Sequence, residues 1–143
     1  KRDLRFYMGA CQVIEVNVPR GERIVMDDVD VPFNAPRVLF KTGSFPNPDN
    51  WNADFNSLCP DLIRTASAQG VCLIGLDTPS VDPADSKDLP AHRAIAEADM
   101  AILEGVFLAS VKAGLYTLVA LPLRIENGDA SPVRAVLLPE GTL

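Results

Sequence analysis

The sequence is poor in histidine and cysteine, the two side chains that most often build metal and nucleophile sites. It holds one histidine and three cysteines in 143 residues. The cysteines, at positions 11, 59 and 72, form no C-x-x-C pair, so they lack the ligand spacing of a zinc ribbon. An odd number of scattered cysteines is typical of thiols in a reducing compartment. We therefore predict a cytoplasmic protein without disulfides.

The sequence also lacks a long apolar run and a basic patch. Its longest apolar stretch, AGLYTLVALPL at 113–123, contains a proline and is too short to cross a bilayer. The start, KRDLRFYMG, has no apolar signal-peptide core. The net charge is −6, and lysine and arginine are nowhere concentrated among aromatic residues. Membranes and nucleic acids are therefore not expected as partners.

Several catalytic and ligand-binding motifs are missing too. Without G-x-S-x-G, Ser80 is not expected to be a hydrolase nucleophile. No glycine cluster precedes a predicted helix, which excludes a phosphate-binding loop. Asp82, Asp85 and Asp88 are separated by proline and lack the glycine of a calcium loop, so a solvated loop is expected there.

The residues that are present predict an α/β fold. With 48% hydrophobic and 22% charged residues, the chain suits one domain over 1–143. VCLIGL at 71–76 is apolar without alternation, as in a strand covered on both faces. Helix 60–69, with Pro60 at its start and Gly70 after its end, precedes this strand and completes a βαβ unit with the strand at 37–41. The remaining predicted elements are strands at 10–18, 100–108, 115–121 and 132–138 and a helix near 90–98, which together give a mixed sheet.

His92 and Glu104 are the most informative pair. His92 falls on the first turn of the helix near 90–98, and Glu104 falls midway along the apolar strand MAILEGVFL. A short helix and a tight reversal can bring the two side chains to one point. Burying an unpaired carboxylate costs several kcal/mol, so Glu104 requires a cationic partner or water. An edge-strand position, a salt bridge to Arg93 or Arg124, and a metal or catalytic role all remain open.

Two loops are further candidates. Asp77, Thr78 and Ser80 leave the carboxyl end of the strand at 71–76, where ligands collect in α/β sheets. They are either turn-forming residues or part of a substrate pocket beside the His–Glu pair. Trp51, in the long loop 43–55, either lines an aromatic site or pins its loop.

Several stretches resemble the metal-dependent cyclase family, in particular bacterial kynurenine formamidases (arylformamidases). They are YMGACQVIEV, PRVLFKTG, QGVCLIGLDTPSVDPADSKDLPAHRAI, MAILEGVFL and YTLVALPLRIENGDASPVRAVL, and they run in order over nearly the whole chain. The resemblance implies a swivelling β/β/α domain with a mixed sheet, a homodimer, and two divalent metal ions, usually zinc. It makes His92 a metal ligand and Glu104 the carboxylate that contacts both metals.

The implied reaction is hydrolysis of N-formylkynurenine to kynurenine and formate in tryptophan degradation. Another aryl or cyclic amide, such as isatin, is an alternative substrate. The family's catalytic histidine and remaining ligands belong to an upstream His-x-x-x-His-x-Asp motif, which this sequence does not contain. We expect the chain to be the C-terminal two-thirds of the family's sequence, N-terminally incomplete and inactive by itself. A non-catalytic structural or dimerisation module is the third reading.

Overall fold

The computed structural model describes residues 2–142, and within them a six-stranded mixed sheet carries two helices. Strands β1, β3, β5 and β6 are parallel, β7 runs antiparallel to β1, and β8 runs antiparallel to β7, in the order β6-β5-β3-β1-β7-β8. A parallel pair, β2 and β4, forms a second small sheet. The elements are β1 (Met8–Glu15), β2 (Arg23–Ile24), β3 (Arg37–Lys41), β4 (Ser57–Leu58), α1 (Pro60–Ala68), β5 (Leu73–Leu76), α2 (Pro90–Glu97), β6 (Ala101–Leu103), β7 (Gly114–Val119) and β8 (Val136–Pro139). The predicted mixed α/β sheet is confirmed.

The central strands are buried on both faces. Because successive residues of a strand point to opposite sides, Val38 and Phe40 of β3 join the core beneath the helices while Leu39 joins the core on the other side. In β5, Ile74 faces the helices and Leu73 faces away. This double burial explains why VCLIGL is apolar without alternation.

The helices cover only one face of the sheet. Helix α1 begins at Pro60, as predicted, and Gly70 follows its end with φ +89°. Both helices place apolar residues against the sheet: Leu62, Ile63 and Ala66 from α1, and Ala91, Ala94 and Ile95 from α2. On the opposite face, Val106, Val111 and Val133 pack from segments outside the strands.

The small sheet positions an arginine beside the site. Ile24 of β2 and Leu58 of β4 are fully buried, which anchors both short strands in the core under the helices. Arg23 precedes Ile24, and its guanidinium donates to the carbonyl of Leu58 at 2.8 Å. Its orientation is therefore fixed by the strand pair.

The structure corrects the bounds of several strands. The strand predicted over 10–18 covers Met8–Glu15, and the strand predicted over 115–121 covers Gly114–Val119. The strand predicted over 100–108 ends at Leu103, so the expected position of Glu104 midway along it is wrong. Gly105 has φ +65° and donates its N–H to the carbonyl of Thr78 at 2.8 Å, which turns the chain out of the sheet. The last strand covers Val136–Pro139 rather than 132–138. Over residues 2–142, every helix is too short or too polar to cross a membrane.

Candidate metal site at the carboxyl edge of the sheet

The candidate site lies where the parallel strands end. The side chain of Asp77, directly after β5, accepts hydrogen bonds from the backbone N–H groups of Thr42 and Gly43, directly after β3. The Thr42 hydroxyl donates to the same carboxylate at 2.7 Å. Glu104 directly follows β6 at this edge. The carboxyl ends of three neighbouring strands are thus brought together, as in other α/β sites.

Asp82 organises the loop between β5 and α2. Its side chain is fully buried. One oxygen accepts the backbone N–H of Ala91 at 3.0 Å, and the other accepts the backbone N–H of His92 at 3.0 Å. These N–H groups lie in the first turn of α2, where helix donors have no partner within the helix. The residue at the usual capping position, Leu89, provides no side-chain cap and has a left-handed backbone, so Asp82 caps the helix from a distance.

The same carboxylate also holds the imidazole of His92. The Nδ1 atom of His92 lies 2.9 Å from an Asp82 oxygen. Because an ionised carboxylate only accepts hydrogen bonds, Nδ1 must carry the proton. The other ring nitrogen, Nε2, then points at Glu104, with 3.5 Å between Nε2 and the Glu104 Oε1 atom.

Glu104 is held in place by the loop as well. Its Oε1 atom accepts the backbone N–H of Val81 at 2.8 Å. Its side chain keeps 29% of its exposure, and that of His92 keeps 32%. Both groups are therefore accessible from one side and rigidly supported from the other.

Burial and neighbouring charges shift the two carboxylates in opposite directions. Burial raises the pKa of Glu104, and the negative charge of Asp82 adds to this rise. The N–H of Val81 and the imidazole of His92 act in the opposite direction and lower the pKa. Burial alone would also raise the pKa of Asp82, but hydrogen bonds from the His92 ring, two backbone N–H groups and Arg23 outweigh it, and the pKa falls below its usual value. Asp82 is consequently the more acidic of these two carboxylates.

An open cavity of about 1070 Å³ borders the pair. His92 and Glu104 both line it, together with residues of β6 and of the segment after β7, among them Ile102 and Arg124. The space is large enough for a small organic molecule.

The structure brings His92 and Glu104 together, as their spacing suggested, and neither of the predicted salt bridges from Glu104 to Arg93 or Arg124 is among its contacts in the described part of the chain. It places the other candidates elsewhere. Asp77 ties β3 to β5, the buried Thr78 hydroxyl donates to the carbonyls of Asn56 and Ser80, and none of the residues at 77, 78 and 80 lines the cavity. A role of these three in substrate binding stays a prediction.

Trp51 lies in a cluster with two phenylalanines. Its ring centroid is 5.9 Å from that of Phe45 and 5.7 Å from that of Phe55, both in edge-to-face geometry. It does not line the cavity. The contacts favour the interpretation that Trp51 pins its own loop.

Sequence reasoning missed Asp82 and Arg23. The expectation of a solvated loop is wrong for Asp82, which is fully buried, although Asp85 and Asp88 are exposed. Arg23 approaches the buried carboxylate at 3.3 Å. One local signal existed, since Asp82 follows the apolar Val81 and precedes Pro83.

The chain is similar in sequence to several curated proteins. It is 47% identical over 138 residues to the kynurenine formamidase of Sphingopyxis alaskensis, an alignment that covers 94% of this chain and 65% of that protein. The kynurenine formamidase of Salinibacter ruber is 46% identical over 136 residues, covering 92% and 63%. That of Erythrobacter litoralis is 44% identical over 138 residues, covering 94% and 62%. No protein-family model matches the chain.

Solved structures agree with these sequences. A potential metal-dependent hydrolase with cyclase activity superposes with a TM-score of 0.81 at 28% identity, covering 94% of this chain and 67% of that one. A predicted metal-dependent hydrolase from Bacillus stearothermophilus gives the same score and identity, covering 94% and 65%. The chain is similar in sequence to kynurenine formamidases and in fold to metal-dependent hydrolases. An isatin hydrolase bound to the product analogue thioisatinate shares the fold, with a TM-score of 0.77 at 19% identity, covering 96% of this chain and 63% of that one.

The similarity covers only part of these relatives, and the donors of the candidate site are correspondingly few. The chain spans 62–65% of the length of the curated relatives above. Within residues 2–142, no group of three or more histidine, cysteine, aspartate or glutamate side chains is arranged to hold a metal ion. His92 and Glu104 offer one imidazole nitrogen and one carboxylate oxygen 3.5 Å apart, which are fewer donors than a metal site needs.

Proposed function

We propose that the protein to which this chain belongs hydrolyses N-formylkynurenine to kynurenine and formate in tryptophan degradation, using divalent metal ions held in part by His92 and Glu104. The observation that carries the proposal is the 3.5 Å approach of His92 Nε2 to Glu104 Oε1. The kynurenine formamidases at 44–47% identity support the substrate. The metal-dependent hydrolases of the same fold support the metal.

The facing atoms of His92 and Glu104 favour a positive charge between them. When the ring is neutral with its proton on Nδ1, His92 presents a lone pair at Nε2, and the oxygen of an ionised Glu104 that faces it is also an acceptor. Two acceptors at this distance repel each other unless a proton or a cation lies between them. Neutral imidazole and carboxylate are common ligands of zinc, and manganese also suits such donors.

The pair is only part of a catalytic centre. A catalytic zinc takes three protein ligands, and a second ion would need more. We propose two zinc ions in the intact protein, with Glu104 contacting both and the remaining ligands and a proton-transferring histidine supplied from outside these 143 residues. The chain alone is then inactive.

The residues of this chain have two roles in the proposed reaction, to hold the metal ion and to accommodate the substrate. When bound, a divalent ion lowers the pKa of water to about 7 and stabilises negative charge on a carbonyl oxygen. His92 and Glu104 fix where that charge is stabilised, because Asp82 and the N–H of Val81 hold them in place. The cavity beside them, which includes the apolar side chains of Met100, Ile102 and Leu123, accommodates the aromatic ring of the substrate.

The full-length natural protein, loaded with zinc, tests the proposal. We expect release of formate from N-formylkynurenine, and loss of at least 100-fold in kcat/KM in Glu104→Gln, with an unchanged circular dichroism spectrum. Removal of an essential metal ligand commonly costs this much or more, since the electrostatic contribution at such sites is several kcal/mol. Glu97→Gln, an exposed carboxylate on α2, is the matched control and should keep normal activity.

The same assay separates the alternatives. Turnover of isatin as fast as that of N-formylkynurenine would replace the substrate while keeping the hydrolase. A full-length protein that neither contains nor recruits zinc would support a non-catalytic structural module instead. Near-normal activity of Glu104→Gln would refute the ligand role.

The intact protein is further proposed to be a cytoplasmic homodimer. The family resemblance supports the dimer, and the three cysteines, all free thiols in the structure, support a reducing compartment. Light scattering after size-exclusion chromatography measures the assembly directly, and a monomer at micromolar concentration would contradict it.

A further inference from the structure

We propose that Asp82 is a positioning residue that fixes the ring orientation and the tautomer of His92, so that Nε2 always presents its lone pair towards Glu104. Its consequence for catalysis rests on the proposed function. The ring geometry itself does not, because it follows from contacts within this chain.

The buried carboxylate of Asp82 accepts three hydrogen bonds from Ala91 and His92. Asp82 accepts the backbone N–H groups of Ala91 and His92 and the Nδ1–H of the His92 ring, at 3.0, 3.0 and 2.9 Å. Two of these bonds come from the same residue, His92, one from its backbone and one from its side chain. They hold both ends of the side chain and allow a single ring orientation.

The surroundings of Asp82 keep its carboxylate charged. A fully buried carboxylate is costly unless it is paired and hydrogen-bonded. Arg23 places Nη1 and Nη2 at 3.3 and 3.4 Å from the Oδ1 atom, while its Nη1 is held by the carbonyl of Leu58. The first turn of α2 adds the positive end of the helix dipole. The carboxylate is therefore kept as an anion that accepts, and the imidazole proton stays on Nδ1.

The two nitrogen atoms of the His92 ring have different surroundings. Histidine ligands of metals usually donate their second ring nitrogen to a carboxylate or carbonyl, which fixes the tautomer and raises the basicity of the ligating nitrogen. Here Nδ1 has such a partner, and Nε2 faces Glu104 and the open cavity. Arg23 of the small sheet contacts Asp82, and Asp82 in turn holds the ring of His92. The strand pair β2 and β4 therefore helps to orient the imidazole.

Nitrogen-15 NMR of the imidazole ring measures the tautomer directly. This 143-residue chain contains one histidine, so the ring signals need no assignment among several residues. The spectra are recorded at a pH at which the ring is neutral. The nitrogen chemical shifts in the same spectra show whether the ring is neutral. We expect Nδ1 to be the protonated nitrogen and Nε2 the unprotonated one. A ring protonated mainly on Nε2, or an even mixture of the two tautomers, would overturn the inference.

Variants provide the second measurement. In Asp82→Asn the amide can donate to Nδ1, so the proton should move to Nε2, as happens when the carboxylate behind a catalytic histidine becomes an amide. Asp85→Asn, an exposed aspartate of the same loop, should leave the ring unchanged. If Asp82→Asn fails to fold by circular dichroism, the wild-type spectrum alone decides.

In the full-length zinc protein, Asp82→Asn should lower zinc affinity by about 10–100-fold, the usual cost of losing a group behind a metal-binding histidine. Asp82→Glu, which keeps the charge, should recover part of this loss, whereas a merely structural role would give equal zinc affinity in both variants if both fold. The two proposals fail separately. An Nδ1–H ring in a protein without zinc or activity would refute the proposed function and leave the role of Asp82 intact. A mixed tautomer in an active zinc enzyme would do the reverse.

Discussion

Gly75 links the packing of the sheet to the site, and replacing it with alanine tests that link. A Cβ atom at Gly75 would lie 2.4 Å from the carbonyl oxygen of Leu103 and 2.8 Å from the Leu39 Cδ2 atom. Real Cβ contacts are essentially never shorter than 3.0 Å. Gly75 and Leu103 are paired across β5 and β6, so the clash falls on the backbone of the strand that leads into Glu104.

The cost follows from the geometry. The Leu103 carbonyl must retreat by roughly 0.6 Å or more, and a backbone group in a paired strand cannot do so without weakening its own hydrogen bonds. Overpacking costs about 1–3 kcal/mol and more where the backbone must move. We expect Gly75→Ala to lower the free energy of unfolding by about 3 kcal/mol, or roughly 6–12 °C in melting temperature for a chain of this length.

Urea unfolding followed by circular dichroism measures this loss. Gly70→Ala is the control, because its Cβ would meet no atom within 4 Å and its cost comes only from the left-handed backbone, about 1–2 kcal/mol. Gly75→Ala in the full-length protein should also weaken zinc binding, since β6 positions Glu104, whereas Gly70→Ala should not. A Gly75→Ala variant within 1 kcal/mol of wild type would refute the reasoning.

Two further predictions concern Cys11, which is buried on the face of the sheet away from the helices, and the buried Arg37. Burial raises the pKa of the Cys11 thiol to about 12, against a weaker opposing effect of the Arg37 guanidinium. A raised pKa gives stability that is complete below the unfolded value near 9 and is lost as the pH rises towards 12. At pH 8, a thiol reagent should therefore label Cys59 and Cys72 before Cys11, which should react only after unfolding; equal rates for all three would contradict this. Arg37→Met should lower the free energy of unfolding by about 2 kcal/mol, because the buried guanidinium donates to backbone carbonyls at the start of the chain. The control is the exposed Arg64→Met, and equal urea midpoints for the two variants would count against it.

Much of the fold follows from local sequence signals. The strand at 37–41 has the predicted bounds, because RVLFK is a short apolar run that ends before Thr42-Gly43. Both helices begin at a proline, Pro60 and Pro90, and the predicted ends lie within one residue of the observed ones. Such signals act between neighbouring residues and are readable without any knowledge of the sheet.

The predictions from sequence are wrong where contacts with residues distant in the chain determine the structure. MAILEGVFL remains apolar past Glu104, so its composition does not reveal that β6 stops at Leu103, where Gly105 bonds to Thr78 of another loop. Asp82 lies in a polar, proline-rich loop that is typical of solvent exposure. Its burial depends on Arg23, which is 59 residues away in sequence, and no local pattern connects the two.

In the candidate site, too, local features were predictable from the sequence and contacts between distant residues were not. The spacing of His92 and Glu104 was enough to predict that the side chains can meet, since a short helix and a reversal fix that distance. The direction of the imidazole was not predictable, because it is set by Asp82 and not by any residue of α2.

The central claim is that His92 and Glu104 bind the same divalent cation. Anomalous diffraction at the zinc absorption edge, from crystals of the full-length protein grown with zinc, tests it most directly. The account predicts a zinc peak at about 2.0–2.2 Å from both His92 Nε2 and a Glu104 oxygen, the distances usual for such ligands. A fully occupied zinc site that contacts neither side chain would contradict it.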